Sequence, residues 1–125
     1  MGFLTDLKMA AKNTTDRADQ EIETQKYKSE ISSAKSDNER AYSEIGKLYY
    51  ANVKDPDAEF AQKSKELVDR IDANLAKIDE MNKKIAEVVA EHEAVRENNR
   101  AEAAAEEARR KAEKEAAAEA AKKKE

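Results

Sequence analysis

The second half of the chain carries an unbroken 4-3 spacing of seam residues, and this feature constrains the fold most. The line consists of Leu67, Ile71, Asn74, Ile78, Met81, Ile85, Val88, His92 and Val95. Its average period of 3.5 residues is typical of a coiled-coil seam rather than of the face of an ordinary globular helix. A weaker copy of the same spacing runs from Tyr27 to Asn52. The two lines predict two long helices that pack along one seam.

The segment between the two lines contains a helix-start signal. Pro56 suits the first helical position, Asp55 suits the N-cap before it, and acidic residues follow. A turn near residues 53–56 is short enough to make the two helices antiparallel neighbours. The sequence therefore predicts an all-α fold, an antiparallel coiled-coil helical hairpin in which residue i faces roughly residue 109 minus i. This register places Asn38 opposite Ile71.

The hairpin prediction covers residues 14–99, and the two ends of the chain are different. Residues 1–13 form an amphipathic N-terminal segment with Phe3, Leu4 and Leu7 on one face, which predicts a short helix. Capping residues at 13–16 predict a break after it, with a continuous helix as the alternative. Residues 100–125 contain only Ala, Glu, Lys and Arg. They predict a charged helical tail that fills no core and is dispensable for folding.

Several polar or small residues interrupt the seams. We interpret Asn38 and Asn74 as residues that specify the register. His92 falls near Asp16 in the predicted hairpin, and we interpret it as a half-exposed seam histidine rather than a pH-sensitive latch. Gly46 costs about 1 kcal/mol relative to Ala inside a helix. We interpret this glycine as a site of close packing against the other helix.

Composition argues against several classes of function. The chain has 42% charged residues, one His, no Cys and no Trp, and neither a Gly-rich loop nor a nucleophile elbow occurs. These features predict no enzyme, no cofactor, no metal site and no small-molecule substrate. Residues 100–125 hold eight Lys or Arg and seven Glu, which gives them a net charge of +1. Since the whole chain has a net charge of -4, residues 1–99 have a net charge of about -5. An acidic body of this kind predicts no nucleic-acid binding.

Features that direct a chain to a membrane are also missing from the sequence. No apolar run approaches the roughly 18 residues of a membrane span, and the first residues lack the pattern of a signal peptide. We therefore expect a cytoplasmic protein.

The sequence carries more apolar residues than one seam needs. Beside the seam lie Val68, Leu75 and Val89, with Tyr42 and Tyr49 on the first helix. Together with the N-terminal residues, the interaction candidates are Phe3, Leu4, Leu7, Val68, Leu75 and Val89. They predict a non-enzymatic structural or protein-interaction module that forms a homodimer or binds a helical protein partner. The alternative is a peripheral membrane protein anchored by the N-terminal segment, although so short a segment with two Lys binds weakly.

Three segments resemble a group of small bacterial helical-hairpin proteins: MGFLTDLK at the start, IETQKYKSEI at residues 22–31, and YSEIGKLYY at residues 42–50. In that group an EIGK-x-Y segment precedes a C-terminal zinc ribbon. The resemblance covers about residues 1–95 and implies a helical hairpin with an uncharacterised, non-enzymatic function. The group builds its metal site from a C-x-x-C pair after the second helix. This chain has no Cys, and the tail occupies that place, so no zinc-binding residue carries over.

Overall fold

A computed structural model describes residues 2–124 and shows an all-α helical hairpin. Helix α1 spans Phe3–Lys54, helix α2 spans Phe60–Lys124, and the two pack against each other. The described residues contain no strand. The predicted fold class is therefore confirmed.

The turn between the helices is held by two side chains. Asn52 Oδ1 accepts a hydrogen bond from the backbone N–H of Asp57 at 2.8 Å, and Asp57 Oδ1 accepts one from the N–H of Glu59 at 2.9 Å. The second bond gives Asp57 the role of an N-cap. The predicted cap, Asp55, is therefore wrong by two residues, because Asn52 fixes the backbone at Asp57 and leaves Pro56 in the loop.

Helix α1 continues through the predicted break, so the N-terminal segment is the beginning of α1 and not a separate short helix. The side chains that suggested caps have other partners. Thr14 Oγ1 donates a hydrogen bond to the Ala10 carbonyl at 2.8 Å within the helix. Asn13 Oδ1 accepts one from Asn99 of α2 at 3.1 Å, and Asp16 also binds α2. Because the Ala10 carbonyl satisfies Thr14 and residues of α2 satisfy Asn13 and Asp16, the local preference for a helix end is overridden.

The hairpin comprises two compact units, which we call the turn unit (residues 23–88) and the terminal unit (residues 2–22 with 89–124). In the turn unit, the seam follows the predicted 4-3 spacing. The buried residues at the predicted seam positions are Ile31, Ala34, Asn38, Ala41, Ile71 and Met81. Small residues on α1 thus share the core with larger residues on α2, which allows close packing without large voids.

The register of the turn unit differs from the predicted one by one seam step. Asn74 Nδ2 donates a hydrogen bond to Asn38 Oδ1 at 2.9 Å, so Asn38 faces Asn74 and not Ile71. The residue numbers of this pair add to 112 instead of 109. Because seam positions recur every three or four residues, a shift of three still brings seam residues face to face. The observed register places Ile71 opposite Ala41.

The seam changes its period in the terminal unit. The buried or half-buried α1 residues from position 5 onward are Thr5, Asp6, Met9, Asn13, Asp16 and Gln20, and those on α2 are Val89, His92, Arg96, Asn99, Ala103, Glu106 and Glu107. Equivalent positions recur after eleven residues, as from Thr5 to Asp16, which corresponds to about 3.67 residues per turn. The prediction that Val95 continues the seam is therefore wrong. Val95 is exposed, and Arg96 takes the buried position.

The first part of the tail packs against the first turns of α1. Glu107 Oε2 accepts a hydrogen bond from the Gly2 N–H at 2.8 Å, and Arg110 Nη1 donates one to Thr5 Oγ1 at 3.2 Å. Thr5 and Ala103 are buried. The prediction that residues 100–125 fill no core is therefore wrong at Ala103, because α1 begins at Phe3 and its first turns reach this part of the tail. From residue 111 to residue 123 the tail is exposed.

Candidate interaction surface

One flank of the turn unit is closed by charge pairs. Arg70 of α2 donates from Nε to Asp37 Oδ2 at 2.8 Å, and its Nη1 lies 3.5 Å from Glu44 Oε2. Each of these three residues immediately precedes a seam position, namely 38, 45 or 71. Residues that precede these seam positions on the two helices therefore lie on the same side of the hairpin, which we call the charged flank.

The charged flank also extends into the seam. Asn74 Nδ2 donates to Asp37 Oδ2 at 2.7 Å in addition to its bond with Asn38. The hydrogen bond from the Arg70 guanidinium, followed by that from Asn74, holds the pKa of the Asp37 carboxyl well below its usual range. This polar cluster agrees with the interpretation of Asn38 and Asn74 as register residues, because a shift of one seam step would separate all of these partners.

The opposite flank of the turn unit is apolar in the half nearest the turn. It carries four residues that immediately follow a seam position: Tyr42, Tyr49, Val68 and Leu75. Since each residue turns a helix by about 100°, residues after the seam lie on the other side from residues before it. The four side chains, which we call the apolar flank, are between 46% and 61% exposed. Two faces of the same hairpin thus differ sharply, one with paired charges and one with unpartnered apolar surface.

The structure places the interaction candidates that the sequence predicted beside the seam in different environments. Val68 and Leu75 lie on the apolar flank and are exposed. Val89 belongs to the terminal unit and is half-buried, so it does not extend this surface. Tyr42 and Tyr49 complete the flank, although they were not among the six candidates. The signal that identifies them is the same as for Leu75, since each follows a seam position by one residue.

Gly46 is exposed on α1 beside Tyr42 and Tyr49. Apart from its chain neighbours and the backbone of its own helix, a Cβ atom built on Gly46 would have no atom within 4 Å, and no described glycine has a positive φ. Our interpretation that Gly46 packs closely against the other helix of the hairpin is therefore wrong. Neither packing inside this chain nor backbone conformation explains a residue that weakens a helix.

The N-terminal candidates form a second exposed apolar surface, in the terminal unit. Phe3, Leu4 and Leu7 are between 56% and 79% exposed, while Thr5 faces α2 and is buried. The three large side chains therefore do not pack against the hairpin. The surface is a short cluster on the first two turns of α1.

A buried polar cluster lies in the seam of the terminal unit. His92 Nδ1 lies 2.6 Å from Asp16 Oδ1, as the sequence predicted, and Arg96 Nη1 donates to Asp16 Oδ2 and to Gln20 Oε1, both at 2.9 Å. Burial raises the pKa of the Asp16 carboxyl, but its hydrogen bonds and charge interactions with His92 and Arg96 outweigh burial and lower the pKa below its usual value. The cluster joins the two helices through charge instead of apolar contact.

Neither unit contains, within its described residues, a group of three or more His, Asp or Glu side chains that could hold a metal ion. Among residues 2–124, neither helix has an apolar stretch of the length that a membrane span requires. Comparison with protein-family models, curated proteins and solved structures finds no match to this chain. The resemblance to hairpin proteins with a zinc ribbon stays a prediction.

Proposed function

We propose that the chain is a non-enzymatic protein-interaction module whose turn unit docks on a second copy through the apolar flank. The observation that carries this proposal is the asymmetry between the flanks. Arg70, Asp37 and Glu44 pair across one side of the hairpin, whereas Val68 and Leu75 remain about half exposed on the other. The all-α hairpin is compatible with such a module.

Physical chemistry favours coverage of the apolar flank by another helical surface. Contiguous apolar patches on soluble proteins often mark sites of interaction. A helix that packs in a bundle buries a wider stripe than the narrow seam of a two-stranded coiled coil, and the additional positions are those beside the seam. Tyr42, Tyr49, Val68 and Leu75 occupy such positions. Two hairpins related by a two-fold axis cover both copies of the flank with one contact.

Light scattering on three forms of the protein tests the proposal. The wild type should have the mass of two chains at tens of micromolar, twice 14.0 kDa. Leu75→Glu should weaken the dimer more than about 100-fold, because an unpaired charge in an interface costs roughly 3–5 kcal/mol. Ala76→Glu adds the same charge at the neighbouring exposed position and should leave the mass unchanged. A wild type with the mass of one chain would refute self-association.

The second candidate function is association with a membrane surface through the N-terminal cluster. The observation in its favour is that Phe3, Leu4 and Leu7 are all more than half exposed. Against strong binding, the cluster is short, and one of its two nearby cations, Lys12, lies 3.8 Å from Glu102. Co-sedimentation with anionic vesicles separates the two functions. Membrane association requires binding that Phe3→Glu abolishes and Leu75→Glu leaves intact.

A further inference from the structure

We infer that Gly46 marks the point at which α1 crosses α1 of a second copy, antiparallel about a two-fold axis. This inference rests on the proposed self-association and specifies where and how the two hairpins meet. The turn unit alone carries it, since every residue involved lies between residues 23 and 88.

Gly46 lies at the centre of an exposed stripe on α1. Tyr42 and Tyr50 lie one turn to either side and Val53 lies two turns on, and all three are at least half exposed. The space above Gly46 is open, and the backbone there is ordinary helix. A missing side chain among large ones leaves a gap into which a second helix backbone can approach closely. Tyr42 and Tyr50 of both copies would then lie on either side of the crossing.

The stripe is complementary to itself about Gly46. In an antiparallel crossing at residue 46, each residue a given number of positions before Gly46 meets the residue the same number after it in the second copy. Tyr42 therefore meets Tyr50 of the second copy, and Glu39 meets Val53, the residue next to Lys54. A shallow crossing angle of about 20° keeps these pairs within reach.

The charges at the two ends of the stripe indicate that a second copy of this chain covers it. Glu39 and Lys54 have opposite charges and lie 15 residues apart, about 22 Å along one helix, so they cannot pair within one chain. The Lys54 ammonium lies 5.5 Å from the centroid of the Tyr50 ring, which directs this charge toward the stripe. A two-fold axis at Gly46 brings Glu39 of each copy toward Lys54 of the other, and complementary charge at both ends fixes the orientation.

The position of the crossing also fits the rest of the apolar flank. The observed register places Val68 beside residue 44 of α1, next to Gly46 along the hairpin. Val68 therefore lies about 3 Å from the level of the crossing along the hairpin axis. The crossing accounts for the glycine and for the exposed tyrosines of α1 that flank it.

A substitution at Gly46 tests the crossing directly. Gly46→Leu should weaken self-association at least about tenfold, measured by sedimentation equilibrium, because the new side chain fills the gap. The folded hairpin should keep or increase its melting temperature at concentrations below the dissociation constant, since the space is open and Leu favours helix more than Gly. Ser33→Leu is the matched control. It adds a leucine at an exposed α1 position about 140° around the helix from Gly46 and should leave self-association unchanged.

Charge reversal tests the two-fold pairing separately. Glu39→Lys and Lys54→Glu should each weaken the dimer by about two- to thirtyfold, the range of two exposed ion pairs, because the pair occurs twice about the two-fold axis. The double variant should recover the affinity of the wild type, which requires contact between chains.

The possible results separate the inference from the proposed function. A dimeric wild type that Gly46→Leu leaves unchanged would overturn the crossing while the proposed function stands. A dimer that Gly46→Leu weakens but whose charge variants show no rescue would overturn the two-fold pairing. A monomeric wild type would overturn both and would assign the flank to a foreign protein.

Discussion

Replacement of Ile71 by Ala should destabilise the hairpin far more than the same replacement at Ile22. Ile71 is 7% exposed in the seam of the turn unit, whereas Ile22 is 73% exposed. The observed register places Ile71 opposite Ala41, which is too small to fill the cavity that the substitution leaves. Deletion of a buried isoleucine to alanine costs roughly 2–5 kcal/mol. At the exposed site the loss should be below about 0.5 kcal/mol, because Ala is also the better helix former.

The assay is urea unfolding of the wild type and both variants, followed by circular dichroism at 222 nm. Equal slopes with a lower midpoint for Ile71→Ala would report a loss of stability without a change in the unfolded state. Similar midpoints for the two variants would refute the assignment of Ile71 to the core. A larger loss at Ile22 would refute it as well.

Two further predictions concern the tail and the charged flank. Truncation after residue 99 should expose the amide protons of the first turns of α1 to faster hydrogen exchange, because it removes Glu107 and Arg110, while truncation after residue 111 should not. The Asp37 pKa is lowered in the folded state by Arg70 and Asn74, so this stabilisation is present above the unfolded pKa near 3.9 and is lost as the pH falls through the folded value. Asp37→Asn should therefore flatten the loss of stability in acid titrations, and an unchanged acid midpoint would contradict the pairing.

The helices of the turn unit could be predicted from the sequence because most of its seam residues are apolar. Ile71, Met81 and their neighbours repeat at 3.5 residues, and this pattern predicts both the helix and its buried face. The register is less determined, since a shift of one seam step from Ile71 to Asn74 still pairs seam residues with one another. The hydrogen bond between Asn38 and Asn74 decides between the two registers, and the spacing of the apolar residues does not reveal this bond.

The terminal unit could not be predicted in the same way because its seam is polar. Thr5, Asp16 and Arg96 are buried, but none of these residue types marks a core position by itself. Their partners lie on the other helix, up to 105 residues away in the chain, so local capping preferences give the wrong answer near Asp16. The eleven-residue repeat becomes visible only once the contacts across the two helices are known.

The candidate surface was predictable in part. Val68 and Leu75 follow the seam by one residue, which places them beside it from the sequence alone. The charge pairing that closes the other flank depends on the register and thus on the structure. The environment of Gly46 was the least predictable feature, because a glycine in a helix has the same sequence signal whether it faces its own hairpin or open space.

Pulsed electron paramagnetic resonance between two labelled copies tests the docking of the apolar flank most directly. The chain has no cysteine, so Ser43→Cys and Lys77→Cys each carry one spin label per chain, beside the stripe and on the charged flank respectively. In the proposed dimer, two labels at residue 43 lie about 9 Å apart along the helices, plus one interhelix spacing of about 8–10 Å, and labels at residue 77 lie more than about 30 Å apart. A shorter distance at residue 43 than at residue 77 is the predicted result. A shorter distance at residue 77, or no dipolar signal at either position, would contradict the account.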